Sequence, residues 1–324
     1  MMELMTRESV VLDDVDRGLL QALVVDGRAS FARIGEVLGV SDRTVARRYA
    51  RMLESDLVRL VGDVDPVRIG GAEWVVRVQC KQGAAADVAQ ALARRDDTRW
   101  VNLVSGGTEI CASLRSWSAT ERDELLLHRL QRTAPVLSVT AHNVMHVFGG
   151  GRQGLDGPGS LGPEQIAALA PVHGEPAEAL TDADRPLLRA LAEDGRAPYP
   201  VLAAATGWSQ SRVARRLDAL RAAGLLWFDV DVDTELLGYH AEARLWASVS
   251  PADLVTTGAT IAAHPEVAFC AATTGPTNLL VAVVCRDSRD LYRYLTDRLS
   301  ALPQIHTIET APIIRTVKRA GPTR

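Results

Sequence analysis

The chain is poor in cysteine. Only Cys80, Cys111, Cys270 and Cys285 carry a thiol, with no C-x-x-C spacing among them, so neither a zinc ribbon nor a disulfide scaffold is indicated. They read as buried strand residues in a reducing compartment. Long apolar runs are missing too: no stretch nears the roughly 18 residues of a spanning helix. The opening MMELMTRESV has neither the charged start nor the apolar stretch of a secretory signal. A cytoplasmic protein with no membrane partner is the expectation. Net charge is small, 36 Lys and Arg against 40 Asp and Glu, which excludes globally basic packaging proteins and acidic disordered chains alike. Any hold on a polyanion must come from a local patch. The glycine tract at 149–151 lacks the G-x-x-x-x-G-K-[ST] frame of a phosphate loop, and no Ser/His/Asp or Cys/His arrangement stands out. His142 and His146 stand four apart, which suits zinc only on a helix, whereas their segment reads as a strand. No metal, cofactor or catalytic residue is expected. The scattered Trp74, Trp100, Trp117 and Trp246 read as packing rather than a cofactor box.

What is present is size and repetition. The 324 residues, 47% apolar, exceed one ordinary core, so two or more domains are implied. Shifting the chain by 168 positions aligns Leu12–Gly71 with Leu180–Tyr239 without a gap. Asp16/Asp184, Arg17/Arg185, the block Asp26-Gly27-Arg28-Ala29 over Asp194-Gly195-Arg196-Ala197, Gly39/Gly207, Ser41/Ser209 and Val45-Ala46-Arg47-Arg48 over Val213-Ala214-Arg215-Arg216 are identical. Between the copies, Gly149–Pro163 holds seven glycines and two prolines in fifteen residues, which predicts a flexible tether, with a short helix over Glu164–Val172.

In each copy, helical periodicity gives a first helix (N-cap Asp13; delayed or bent by Pro186 in the second copy), a short second helix over Phe31–Leu38, a glycine turn and a third helix capped by Ser41 or Ser209. That order suggests a helix-turn-helix. The period then changes to 2 and predicts βαββαβ. The first copy reads as strands Trp74–Lys81, Trp100–Ser105, Glu109–Arg115 and Val136–Phe148, with helices Ala84–Arg94 and Ala119–Thr133. The second reads as strands Ala243–Val249, Val267–Thr273, Leu279–Cys285 and Ile305–Thr316, with helices Pro251–Ala263 (capping box Ser250 to Asp253) and Ser288–Ala301. The fold class is therefore α+β: two winged-type helix-turn-helix units, each followed by a ferredoxin-like domain. The expected boundaries are 1–65, 66–148, linker 149–179, 180–233 and 234–324. Each sheet has helices on one face only. Trp246, Phe269, Leu280 and Val284, or their strand neighbours, would populate the other, so sheet should pack on sheet, either the sister copy or a second chain.

Residues 41–51 carry Arg43, Arg47, Arg48 and Arg51 against Asp42, and Arg212, Arg215, Arg216 and Arg221 stand against Asp218 in the second copy. Arginines along one helix flank can clamp phosphates or reach guanine edges in a major groove. The expected DNA contacts are Ser41, Arg43, Thr44, Arg47, Arg48 and Arg51, with Ser209, Gln210, Ser211, Arg212, Arg215 and Arg216. Differences at Asp42/Gln210, Arg43/Ser211 and Thr44/Arg212 predict unlike half-sites.

The segments L-D-D-V-D-R-x-L-L, D-G-R-A-S, L-G-V-S-D-R-T-V-A-R-R and V-D-P-x-x-I-G, with their second-copy counterparts ending at L-L-G, resemble the Lrp/AsnC family of transcription regulators. The resemblance implies a regulator binding double-stranded DNA. It also implies a sheet domain that senses a small molecule, often an amino acid, pairs face to face with a second sheet and sets oligomeric state. Fusion of both copies in one chain predicts that the sheets pair within it as a pseudo-dimer, in a homo-oligomer. That family usually has an acid after the hairpin glycine of the sensor, G-x-x-D; here the segments are Gly106-Gly107-Thr108-Glu109 and Gly275-Pro276-Thr277-Asn278. The resemblance makes Gly106, Thr108, Glu109, Gly275, Thr277 and Asn278 the candidate effector contacts, with the acid lengthened in one copy and uncharged in the other. Asp56 also replaces the glycine that usually ends the recognition helix, which Gly224 keeps. Sirohaem decarboxylases share the tandem plan, and His142, His146 or Arg315 would be candidates there. An oligomerising scaffold that has lost DNA binding is a third alternative. The arginine-rich helices favour the regulator.

Overall fold

The computed structural model describes residues 12–55, 57–64, 67, 71–95, 97–116, 135–150, 161–171, 175–177 and 179–319. The helix expected over Ala119–Thr133, Trp117, Asp56 and the middle of the linker lie outside them.

Asp13 opens the first helix, α1 (Asp14–Val25), by a reciprocal capping box with Asp16. Ser30 caps α2 (Phe31–Leu38), Gly39 closes it at φ 69, and Ser41 caps α3 (Asp42–Glu54). Strand β1 (Val58–Val64) leads out. The first sensor domain follows as β2 (Ala72–Cys80), α4 (Ala85–Ala93), β3 (Thr98–Val104), β4 (Glu109–Ser116) and β5 (Val136–Gly150). After the linker helix α5 (Pro163–Leu169), the second unit repeats with α6 (Arg185–Glu193), α7 (Tyr199–Thr206), α8 (Gln210–Ala222), β6 (Leu226–Val232) and β7 (Ala241–Val249). It ends with α9 (Leu254–Ala262), β8 (Val267–Thr273), β9 (Leu279–Cys285), α10 (Ser288–Arg293) and β10 (Ile305–Lys318). Pro186 acts as expected: residues 182–184 form a short 3-10 turn, and α6 begins three positions later than α1 in repeat register. Two local expectations are corrected. The Ser250–Asp253 box does not form, and α9 starts only at Leu254 without a side-chain cap. The helix after Ser288 keeps α geometry only to Arg293 and widens into a π turn over 294–299.

The two units interlock at both ends. β1 and β6 pair antiparallel, Val58 with Val232 through Val64 with Leu226. Val64 enters the second helix-turn-helix core, while Val230 and Val232 enter the first. Gly195 makes this possible: a Cβ there would lie 2.4 Å from Leu60 Cδ2, and its backbone N–H donates to the Leu60 carbonyl at 2.7 Å. In the sensor half, the sheets β3-β4-β2-β5 and β8-β9-β7-β10 join into one closed barrel. β5 pairs with β2 through His142 and Asn143 and then with β8 from Val144 to Gly150; β10 pairs with β7 up to Pro312 and then with β3 from Ile313 to Lys318. Helices cover the outer faces. The inner faces meet in a core of Val75, Val104, Cys111, Val144, Trp246, Ala271, Leu280 and Ala311, with Phe269 and Ile313 against it. Trp246, Phe269 and Leu280 are thus where the uncovered-face expectation put them, and the sheets pair within the chain. All four cysteines are buried in strands with free thiols.

The expected tether is ordered at both of its described ends. β5 runs on through Gly149 and Gly150, opposite Cys270 and Phe269, because β8 supplies hydrogen-bond partners there. Further on, Leu161 and Leu169 enter the first helix-turn-helix core. Arg33 donates to the Ala168 and Ala170 carbonyls at 2.8 and 2.9 Å, and Gln165 donates to the Val37 carbonyl at 2.8 Å. The chain then returns to the second unit, where the Ala177 N–H donates to the Ala219 carbonyl at 2.9 Å.

Candidate nucleic-acid interface and sensor hairpins

The two recognition helices, α3 and α8, begin alike. Ser41 Oγ accepts the Thr44 N–H at 3.1 Å and Ser209 Oγ accepts the Arg212 N–H at 3.3 Å, leaving neighbouring N–H groups directed outward. Ser41, Asp42, Arg43 and Arg47, and Ser209, Gln210, Ser211, Arg212 and Arg215, are exposed, while Thr44 is half-buried with its hydroxyl 2.8 Å from Ser41 Oγ. Arg43, Arg47, Arg212 and Arg215 have no acidic partner among the described residues.

The other arginines nominated for DNA are engaged elsewhere. Arg48 donates to Asp13 at 2.7 Å and to Asp16 at 2.8 Å, and Arg51 donates to Asp16 at 2.7 Å. In the repeat, Arg216 grips Asp184 with two bonds of 2.7 and 2.6 Å and donates to the Ala179 carbonyl at 2.8 Å. Asp16 and Asp184 are fully buried, so these guanidiniums neutralise carboxylates that would otherwise be stranded. Burial alone would push the Asp184 carboxyl up, but Arg216 and the Thr181 donors hold it below the usual carboxylate range. Arg51 remains half-exposed. Without Gly224's counterpart, α3 closes through Ser55, whose hydroxyl donates to the Arg51 carbonyl at 2.7 Å.

Reciprocal arginines fix the spacing between the helix-turn-helix units. Arg28 donates to the Gly195 and Ala197 carbonyls at 2.8 and 3.2 Å, and Arg196 to those of Gly27 and Ala29 at 2.7 and 2.9 Å. Each guanidinium also lies over the other unit's rings, Arg28 over Tyr199 at 5.3 Å and Arg196 over Phe31 at 4.4 Å. Arg221 adds a one-sided ion pair from α8 to the buried Asp26 at 2.5 Å.

The six effector candidates fall on two hairpin turns, each inside one unit. In the first, Gly106 takes φ 72 and Thr108 Oγ1 donates to the Ser105 carbonyl at 3.0 Å. Glu109 is buried and accepts from Arg77 at 2.6 and 3.2 Å and from Ser105 at 3.0 Å. Arg77 also bridges to Glu309 of the other sheet and lies 5.0 Å over Trp246. In the second, Asn278 clasps the Val249 backbone, donating to its carbonyl at 2.8 Å and accepting its N–H at 2.9 Å, while the Thr277 carbonyl accepts from Thr273 at 3.3 Å. Gly275 takes φ 114, and a Cβ on it would meet the buried His142 ring at 2.4 Å. His142 Nδ1 donates to the Thr274 carbonyl at 2.7 Å, which fixes its tautomer, and its ring stands 5.3 Å from Trp246. Contact therefore runs from Glu109 through Arg77, Trp246 and His142 to Gly275, joining hairpins that the candidate residues alone do not connect. Sequence periodicity could not nominate Arg77, Trp246, His142 or Glu309 as hairpin partners, because they arrive from other strands. The available signal was Arg77, a charge set between the valines Val76 and Val78 in the middle of its strand. His146 and Arg315 are exposed.

Residues 12–53 and 180–221 each match the AsnC-type helix-turn-helix domain, and residues 242–323 match the Lrp/AsnC ligand binding domain, together about half of the chain. The chain belongs to the Lrp/AsnC family, in a form that carries the unit twice. Among its relatives, the HTH-type transcriptional regulator FL11 of Pyrococcus horikoshii is 26% identical over 140 residues, covering 43% of this chain and 92% of that protein. The Regulatory protein AsnC of Escherichia coli strain K12 is 28% identical over 142 residues, covering 42% and 93%. Across the whole tandem arrangement the fold is that of the siroheme decarboxylase NirDL: TM-score 0.62, 13% identity, 96% of this chain and 94% of that one. No helix among the described residues is long and apolar enough to cross a membrane.

Proposed function

We propose that this chain is a sequence-specific, DNA-binding transcription regulator of the cytoplasm that carries both reading heads of an operator in one polypeptide. The observation that supports it is the exposure of Arg43, Arg47, Arg212 and Arg215 along the first half of both recognition helices, with no acid neutralising them among the described residues. Each helix enters a major groove. Ser41 and Ser209 fix helix N-termini toward the duplex, Arg47 and Arg215 hold phosphate, and Asp42, Arg43 and Thr44 face one half-site while Gln210, Ser211 and Arg212 face an unlike one. Arg48, Arg51 and Arg216 contribute by fixing the helices on their own domains, with Arg51 retaining an edge toward the duplex.

Fragments selected from the source genome supply the duplex. Each of Arg47→Ala and Arg215→Ala should then remove about 0.9 from the slope of log affinity against log salt. Arg216→Ala should leave that slope unchanged and instead lower the melting temperature, because Asp184 loses its partner, a cost of about 1–3 kcal/mol. Unchanged slopes in the first two variants would count against backbone contact by those side chains.

The effector is a small metabolite bound at the sensor hairpins, next to Glu109 in one unit and Asn278 in the other. Glu109 is already held by Arg77 and Asn278 by the Val249 backbone, so an effector has to compete for both side chains, and a pre-formed amino-acid clasp is not expected. Thermal-shift screening of small acids and amines, repeated on Glu109→Ala and Asn278→Ala, tests this; hits unaffected by both variants would remove these residues from the site. A second reading draws on the shared tandem fold: an enzyme acting on a tetrapyrrole. Visible colour and decarboxylation on adding sirohaem, with no retardation of DNA, would favour it.

A further inference from the structure

The second recognition helix holds one side chain in a way the first does not. Arg212 is exposed at the third position of α8, and its guanidinium lies over the ring of Trp208 at 4.4 Å. Trp208 is itself anchored, half-buried against the second helix-turn-helix core, with its backbone N–H donating to Thr206 Oγ1 at 3.2 Å. The repeat places Val40 and Thr44 at these two positions in the first unit, and Thr44 turns its hydroxyl back to Ser41. One reading head thus carries an arginine braced on an aromatic face, and the other carries a short hydroxyl.

We propose that Arg212, braced by Trp208, is the specificity-determining residue of the second head and reads a guanine in its half-site alone. This rests on the regulator reading. Stacking occupies the flat face of a guanidinium and leaves its in-plane N–H donors directed outward. Two such donors match O6 and N7 of guanine, the commonest specific contact in a major groove. An unbraced arginine has to give up rotamer freedom on binding and serves equally well as a mobile phosphate contact, whereas a braced one has lost much of that freedom beforehand. Arg212 also sits in the first turn of the recognition helix, the part that meets base edges, rather than along the flank that meets the backbone. No guanine preference at the corresponding place in the first half-site follows, because Thr44 has no guanidinium.

The test is selection of bound duplexes from a randomised pool by the full chain and by Arg212→Ala, Arg212→Lys, Trp208→Leu and Trp208→Phe. The native chain should enrich a two-part site with a guanine required at one position of one half only. Changing that base to adenine should weaken binding about five- to a hundred-fold, the usual worth of a bidentate pair. Arg212→Ala should abolish the preference with other positions unaltered, and Arg212→Lys should keep only part of it. Trp208→Leu should reduce the discrimination about two- to five-fold without changing the salt slope, while Trp208→Phe, which keeps a ring face, should restore most of it. A guanine preference that survives Arg212→Ala, or that Trp208→Leu leaves intact, overturns this assignment while the regulator reading stands. Enrichment of no sequence by the native chain overturns the regulator reading itself.

Discussion

Asp63 and Asp231 occupy the same place in the repeat, on the sensor-facing side of the β1–β6 ribbon, yet their surroundings push them in opposite directions. Burial would raise both. Arg115 and Arg99 reverse that for Asp63, with Arg115 donating at 2.6 Å, and bring its pKa down to about 2. In the second unit the matching strand positions hold Ala268 and Val284. Burial then dominates for Asp231: Arg319 is 4.0 Å away, Asp229 and Glu242 add like charge, and the pKa rises to about 7. The signs are opposite. Asp63 contributes stability above the ordinary carboxylate value, lost as pH falls toward 2. A raised folded value means that what Asp231 contributes is fully present below the ordinary carboxylate value and is lost as pH rises through 7. Asp231→Asn should therefore gain roughly 1–3 kcal/mol on the native chain at pH 8 and little at pH 4, as urea unfolding at the two pH values would show. Equal gains at both would mean that Asp231 is ionised throughout.

At the scale of elements, locally encoded features were legible and borrowed ones were not. Phe31–Leu38, Val267–Thr273 and Leu279–Cys285 have the ends that periodicity and flanking signals predict, because caps, turns and side-chain alternation are written within a few residues. The exchange of β5 and β10 between sheets could not be read this way, since pairing with a strand of the other unit leaves no trace in the period of either. The arginines show the same limit: spacing put Arg47 and Arg48 on one flank, but a buried Asp16 on α1 decides that only Arg48 is taken. Composition predicted mobility for the linker, whereas Leu161 and Leu169 bury themselves against α1 and α2. Leu169 is fully buried, so Leu169→Ala should cost about 2–5 kcal/mol. Hydrogen exchange should quicken in α1 and α2 before it does in α6 and α7. Uniform loosening of both units would mean that α5 supports the whole assembly rather than the first unit.

For the whole molecule, duplication within one chain makes a two-headed assembly whose halves are free to differ, as Arg212 over Thr44 and Asp63 over Asp231 illustrate. Neither half is self-sufficient. Residues 1–148 expressed alone lack β6, β8 and β10, and should self-associate or precipitate where the full chain does not; light scattering would show it, and a stable monomeric half would contradict the interlocked core. The closed barrel also governs the order of events as the polypeptide leaves the ribosome. β3 emerges early but waits for Ile313–Lys318 before its outer edge is capped, with Lys318 opposite Val101. Through most of translation the early sheet therefore presents an unsatisfied ladder of N–H and C=O groups. Final closure depends on contacts more than two hundred residues apart, a topology that favours slow folding and exposes the nascent protein to chaperones and to its neighbours.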